Sequence, residues 1–142
     1  MDSELINQLL ALPGETIKLS KGEFLFREGD KAEYFYIVTS GRMSIKKFEA
    51  SGHTFALRLI GKDNVLGEVP LFEDGKRTYV FNAIAREPAT VYAIRYDVLE
   101  PYVEGDSKLL MTLMHIMTLH MRRQETKYRD LILYGKKGAF YT

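Results

Sequence analysis

A chain of 142 residues, 46% apolar and 27% charged, has the size and make-up of one globular domain with one core. Its formal net charge of +1 supplies no overall field toward nucleic acid or a membrane surface, and the lack of cysteine excludes disulfides, thiolate metal sites, cysteine nucleophiles and iron–sulfur clusters. Acidic Asp2 and Glu4 stand where a secretory leader would be basic, and polar residues interrupt every apolar run well short of a membrane span, so a cytoplasmic protein with no membrane contact is expected.

Ser3 to Leu12 places Leu5, Ile6, Leu9, Leu10 and Leu12 on one helical face, with Asp2 or Ser3 as a cap and Pro13-Gly14 as the stop. From Glu15 to about Tyr96 the pattern changes to short runs of β-branched and aromatic residues. These are Thr16–Leu19, Phe24–Phe26, Tyr34–Val38, Met43–Lys46, Thr54–Ile60, Thr78–Ala85 and Thr90–Ile94. Glycines punctuate them at Gly14, Gly22, Gly29, Gly41, Gly52, Gly61, Gly67 and Gly75. Many short strands with regular turn signals predict a sandwich, jelly roll or small barrel.

After Tyr96 the period becomes helical. Asp97 to Val103 predicts a short helix ending near Gly105, and Asp106 or Ser107 can cap a longer one. Leu110, Leu113, Met114, Met117, Met121, Tyr128 and Leu131 recur at mostly three- and four-residue steps and form the expected dimer seam. Gly135 is the first terminator. A helix from Ser107 to about Tyr134 is roughly 40 Å long at about 1.5 Å per residue, which exceeds a small roll. A second copy of the chain is the simplest cover for its far end; a helix folded back entirely over the roll is the alternative. Residues 1–105 then form the roll with its N-terminal helix, and residues 106–142 form the long helix and the start of a linker.

Three blocks carry a resemblance. Phe26-Arg27-Glu28-Gly29-Asp30 leads into the strand Tyr34-Phe35-Tyr36-Ile37-Val38 and then Gly41. Leu66-Gly67-Glu68-Val69-Pro70-Leu71-Phe72 continues through Glu73-Asp74-Gly75-Lys76 to Arg77-Thr78. The long helix with Met121-Arg122-Arg123 follows. In this order they resemble the effector domains of Crp/Fnr-type bacterial transcription regulators. The resemblance implies a mainly β fold with helices: a double-stranded β-helix or jelly roll of the cyclic-nucleotide-binding type, followed by a long C-terminal α-helix. It also implies a non-catalytic, allosteric homodimer that senses a small-molecule effector. In the family a winged helix-turn-helix domain follows the long helix. This chain reaches Gly138-Ala139-Phe140-Tyr141-Thr142 roughly where that domain would begin, so DNA contact is expected only through a domain missing from the chain.

The second block looks like a phosphate-binding cassette, with a cyclic nucleotide as the implied ligand. By resemblance, Gly67 lets the backbone approach, Glu68 accepts from a ribose hydroxyl, Val69 to Phe72 form a short helix, and Arg77 and Thr78 meet the phosphate. The cassette is one residue short before Arg77, and Pro70 removes one backbone donor. Tyr79 stands where a small residue is usual, so its ring is expected to enter the pocket. Aligning on Arg122-Arg123 puts Lys127 and Tyr128 where cAMP-responsive relatives carry a Thr-Ser pair against the base. In the alternative, structural reading Gly67 makes a turn, Glu68 satisfies backbone amides, and Arg77 pairs with an acid such as Glu68 or Glu73.

His115 and His120 are five apart, not at the spacing that aligns two ligands on one helical face, and His53 sits beside a predicted turn, so no metal site is expected. No residue set suggests catalysis. Met111, Met114, Met117 and Met121 suit a seam that changes shape. Arg122, Arg123, Lys127, Arg129, Lys136 and Lys137 read as a solvated helix face flanking that seam, with a weak phosphate contact as the other reading. Two functions follow: an effector-sensing and dimerisation module of a transcription regulator, or a constitutive dimerisation scaffold with a degenerate nucleotide pocket.

Overall fold

The computed structural model describes residues 3–48 and 51–130. Helix α1 (Ser3–Leu10) buries Leu5, Ile6 and Leu9, and Leu12 just beyond it continues the same apolar face. Eight strands follow: β1 (Glu15–Leu19), β2 (Phe24–Phe26), β3 (Tyr34–Ser40), β4 (Met43–Phe48), β5 (Thr54–Ile60), β6 (Val65–Leu66), β7 (Asn82–Ala85) and β8 (Ala89–Arg95). Helix α2 (Glu68–Leu71) lies between β6 and β7, and α3 (Tyr96–Gly105) and α4 (Ser107–Asp130) close the described chain.

The strands form two antiparallel four-stranded sheets, ordered β1-β8-β3-β6 and β2-β7-β4-β5. This is the expected jelly roll. β1 pairs with β8 from Glu15↔Ala93 to Leu19↔Ala89, and β3 takes the other edge of β8. The chain therefore pairs its ends first in space and wraps inward. β3 is buried at four consecutive positions, Phe35 to Val38, as a strand covered on both faces must be. Tyr36 meets Phe26 of the opposite sheet, with ring centroids 5.8 Å apart. By strand alternation Phe35 and Ile37 point to the other side, where α3 packs on β3 and β8.

Two elements differ from the sequence expectation. The run Thr78–Ala85 is a strand only from Asn82. Its first part pairs instead with the Gly29–Ala32 turn: Ala32 N–H donates to Arg77 O, Tyr79 N–H to Asp30 O, and Gly29 N–H to Tyr79 O. The segment thus leaves the sheet and closes one end of the roll. β6 was not anticipated, because two residues offer no alternation to read.

Asp106 rather than Ser107 caps α4: its Oδ1 accepts from the backbone N–H groups of Lys108 and Leu109 at 3.0 and 3.1 Å. The helix carries two apolar faces. Leu109 and Leu113 turn inward, and Leu113 is 0% exposed within its own chain. That corrects its place in the expected seam: Leu113 lies about 100° around the helix from Met114 and belongs to the core stripe. The outward side holds Met111, Met114, Leu119 and Met121, all exposed, with Leu110 and Met117 half-buried. Leu131, Tyr134, Lys136 and Lys137 lie outside the described residues, as do the side chains of His120, Arg123, Lys127, Tyr128 and Arg129.

Candidate functional site

The cassette begins where β6 ends. Gly67 holds φ +82°, and α2 starts from it. A Cβ there would lie 2.8 Å from Tyr34 O and 3.2 Å from Tyr96 Oη, so both the dihedral and the space require glycine. Gly67 O accepts a 2.6 Å hydrogen bond from Tyr96 O–H. Glu68, the first residue of α2, is fully buried. Val69 is half-buried, while Pro70 and Leu71 are buried. Backbone bonds from Phe72 N–H to Val69 O and from Glu73 N–H to Pro70 O end the helix in a tight turn.

Arg77 is already engaged. Its Nη1 meets Glu100 Oε1 of α3 at 2.5 Å, its Nε–H donates to Glu73 O at 3.2 Å, and its guanidinium carbon lies 5.4 Å from the Tyr96 ring centroid. The carboxylate that meets Arg77 is that of Glu100, not that of Glu73, which was one of the expected candidates. Glu73 contributes its backbone oxygen, and the partnering carboxylate comes from 23 residues further along the chain. Thr78 is half-buried and forms a backbone bridge to Lys31.

Tyr79 does fill the interior. Its ring stacks on Phe26 with centroids 3.9 Å apart and planes within 11°. Its O–H donates to Tyr34 O at 2.9 Å, and the Tyr36 hydroxyl oxygen lies 3.4 Å from the Tyr79 hydroxyl oxygen. Burial pushes the Tyr79 hydroxyl up to about 12. Burial likewise drives Tyr36 and Tyr96 well above the usual tyrosine value, helped at Tyr36 by the Tyr79 hydroxyl and at Tyr96 by electrostatic coupling to Tyr36 and Glu68. All three hydroxyls stay neutral at ordinary pH and serve as hydrogen-bond groups.

Of the expected effector residues, Gly67, Arg77 and Tyr79 converge on Tyr34 and Tyr96, Glu68 and Val69 follow Gly67 in α2, and Thr78 lies between Arg77 and Tyr79 with its backbone bridged to Lys31. Lys127 and Tyr128 sit on the backbone of α4, with side chains beyond what is described. Phe26, Tyr34, Tyr36, Tyr96 and Glu100 were missed. The four-residue spacing of Tyr96 and Glu100 does put them on one helical face, but nothing in that spacing names the cassette as the surface it meets.

A cyclic nucleotide fits this cassette only in part. Gly67, the buried Glu68 and Arg77 are residue types that such a ligand would meet. The arginine's anion site is taken by Glu100, and the Tyr79 ring occupies space between the sheets. Among the described residues there is no group of three or more His, Cys, Asp or Glu side chains placed to hold a metal ion, and no helix long and apolar enough to cross a membrane.

The family profile described as cyclic nucleotide-binding domain matches residues 16–106, which holds the roll, the cassette and α3. The anaerobic regulatory protein of Bacillus subtilis is 36% identical over 145 aligned positions, covering 99% of this chain and 60% of that protein. The chain thus spans less than two thirds of that relative's length. Two solved structures share the fold. A c-di-GMP-responsive global regulator of Xanthomonas campestris superposes with a TM-score of 0.82 at 22% identity, covering 94% of this chain and 66% of that one. A transcriptional regulator of Thermotoga maritima gives 0.75 at 21% identity, covering 95% and 99%. With the two four-stranded sheets, the Gly67–Arg77 cassette and the helices that follow, the chain belongs to the cyclic nucleotide-binding domains of the Crp/Fnr regulator family and covers mainly the sensor domain.

Proposed function

We propose that this chain is the effector-sensing and dimerisation module of a cytoplasmic bacterial transcription regulator, a non-catalytic unit that passes its state through α4 to a DNA-binding domain of the full protein. The observation that carries the reading is the division of α4 into two apolar faces. Leu109 and Leu113 fix its first turns to the roll, while Met114 and Met121 stand 50% and 62% exposed on the outward side. A run of exposed methionines on a helix rooted in the sensor is a surface for a second copy, and it ties that contact to the sensor. α4 also packs against both α2 and α3, so the cassette and the seam share one helix. The proposed seam is Leu110, Met114, Met117 and Met121, with Leu113 given to the core; the expected seam positions Tyr128 and Leu131 lie outside the described side chains.

Sedimentation tests this. The chain should run as a dimer at tens of micromolar, and Met114→Asp with Met121→Asp should run as a folded monomer. A wild-type monomer at that concentration would sink the proposal.

A second reading has specific support. The Tyr79 stack and the Arg77–Glu100 pair fill the pocket from within, as a constitutive scaffold with a degenerate nucleotide site would. Calorimetry with cAMP, cGMP and cyclic di-GMP separates the two. Saturable binding of any of them supports the sensor; no heat from any, together with an intact dimer, favours the scaffold.

A further inference from the structure

We infer that Glu100 is a built-in competitor for the anion site of the cassette, and that α3 is the latch it holds shut. This rests on reading the roll as a sensor. Two residues four apart on α3 grip the two ends of the cassette. Tyr96 O–H donates to Gly67 O at its start, and the Glu100 carboxylate meets the Arg77 guanidinium at its end. Their spacing puts both on one face of α3, so the helix spans the cassette as a clasp. The Glu100 carboxylate is a monoanion with two acceptor oxygens, which is what a phosphate oxyanion offers a guanidinium. Arg77 is held in place for such a ligand by its Nε–H bond to Glu73 O and by the Tyr96 ring.

A phosphate-bearing ligand therefore gains Arg77 only by displacing Glu100. The exchange is charge-neutral at the guanidinium and removes one of the two polar grips of α3 on the cassette, leaving that of Tyr96. The Arg77 and Glu100 side chains are 28% and 37% exposed, so the pair is reachable from solvent and the exchange needs no opening of the core. Because α3 runs through Gly105 into the Asp106 cap of α4, a loosened α3 acts on the root of the helix that carries the proposed seam. The ligand's binding energy is thereby coupled to helix position, as an allosteric site requires.

The test is an NMR titration of the arginine-labelled chain with inorganic phosphate and, separately, with cAMP, at constant ionic strength. Arg77 is assigned by its loss in Arg77→Gln. Removing the competitor in Glu100→Gln should tighten phosphate binding at Arg77 by about three- to fivefold over wild type, the scale of a partly exposed ion pair. The gain should vanish in the double variant Arg77→Gln/Glu100→Gln. Amide exchange across α3 should quicken in Glu100→Gln without ligand. Glu100→Ala removes the same carboxylate and repeats the comparison should glutamine disturb the fold. The cAMP arm separates a bare anion site from one that also admits the nucleoside: improvement with both probes, or with phosphate alone, supports the competitor. Equal phosphate affinity with and without the Glu100 carboxylate, or a gain that survives loss of Arg77, overturns it. A dimer that persists while Glu100→Gln gains nothing sinks the latch and leaves the module standing; a monomer whose Glu100→Gln variant gains affinity does the reverse.

Discussion

At Gly67 the backbone sits at φ +82° with Tyr34 O directly behind the missing side chain. Gly67→Ala therefore meets both a left-handed dihedral and a backbone oxygen it cannot move. We expect a loss of about 2 kcal/mol in urea unfolding, from the left-handed penalty alone with the clash adding to it. Tyr79 is the second residue whose chemistry is legible. Its ring lies flat on Phe26 and its hydroxyl bonds Tyr34 O. Tyr79→Phe keeps the stack and deletes the bond, so it should cost about 1 kcal/mol. It should also leave unchanged the tyrosinate absorbance that develops near pH 10 in the folded protein, because the Tyr79 hydroxyl holds its proton to about 12. Loss of absorbance near pH 10 in that variant would show the hydroxyl to be exposed.

The helices make predictions of a different kind. Asp106 satisfies two of the four unpaired N–H groups that open α4. Asp106→Ala should cost about 1 kcal/mol by thermal or urea unfolding, and Asp106→Asn much less. Neighbours on α4 should behave as opposites. Leu113→Ala empties a fully buried site in the core and should cost about 2–5 kcal/mol. Met114→Asp and Met121→Asp, on exposed positions, should leave monomer stability nearly unchanged and weaken association instead. Measuring unfolding and sedimentation on the same three variants tests the division of the helix into a core face and a docking face.

The whole molecule should lose stability in alkali. Tyr36, Tyr79 and Tyr96 all have hydroxyls raised above the ordinary tyrosine value of 10.0, chiefly by burial. In the unfolded chain they ionise near 10. Above that pH the unfolded state gives up protons that the folded state keeps, so ionisation favours unfolding. Their contribution is complete below pH 10 and is lost as pH rises through about 12, where Tyr79 itself ionises. The urea midpoint should therefore fall between pH 9.5 and 11.5. The fall should be smaller in Tyr79→Phe, which has no proton to lose at that position. A midpoint as steady in the wild type as in the variant would mean that these hydroxyls ionise while folded.

Periodicity alone was enough for most of the elements. The strands around Thr16–Leu19, Phe24–Phe26, Tyr34–Val38, Met43–Lys46 and Thr54–Ile60, and the two C-terminal helices, are local patterns of apolar spacing and turn residues, and they sit where those patterns place them. The ordered blocks through Gly67, Arg77 and the long helix carried the family as well. What spacing does not encode is which face of an element meets which distant surface. Leu113 and Met114 are equally apolar, and only the position of the roll beneath α4 makes one core and leaves the other outside. The partner of Arg77 was sought nearby, at Glu68 or Glu73, because sequence reasoning weighs neighbours first. Tertiary packing brought Glu100 to it, since α3 folds back over the cassette with Tyr96 anchored on Gly67. Pairing between charged groups depends on distance in space, and across a jelly roll that distance is set by sheet order and not by separation along the chain.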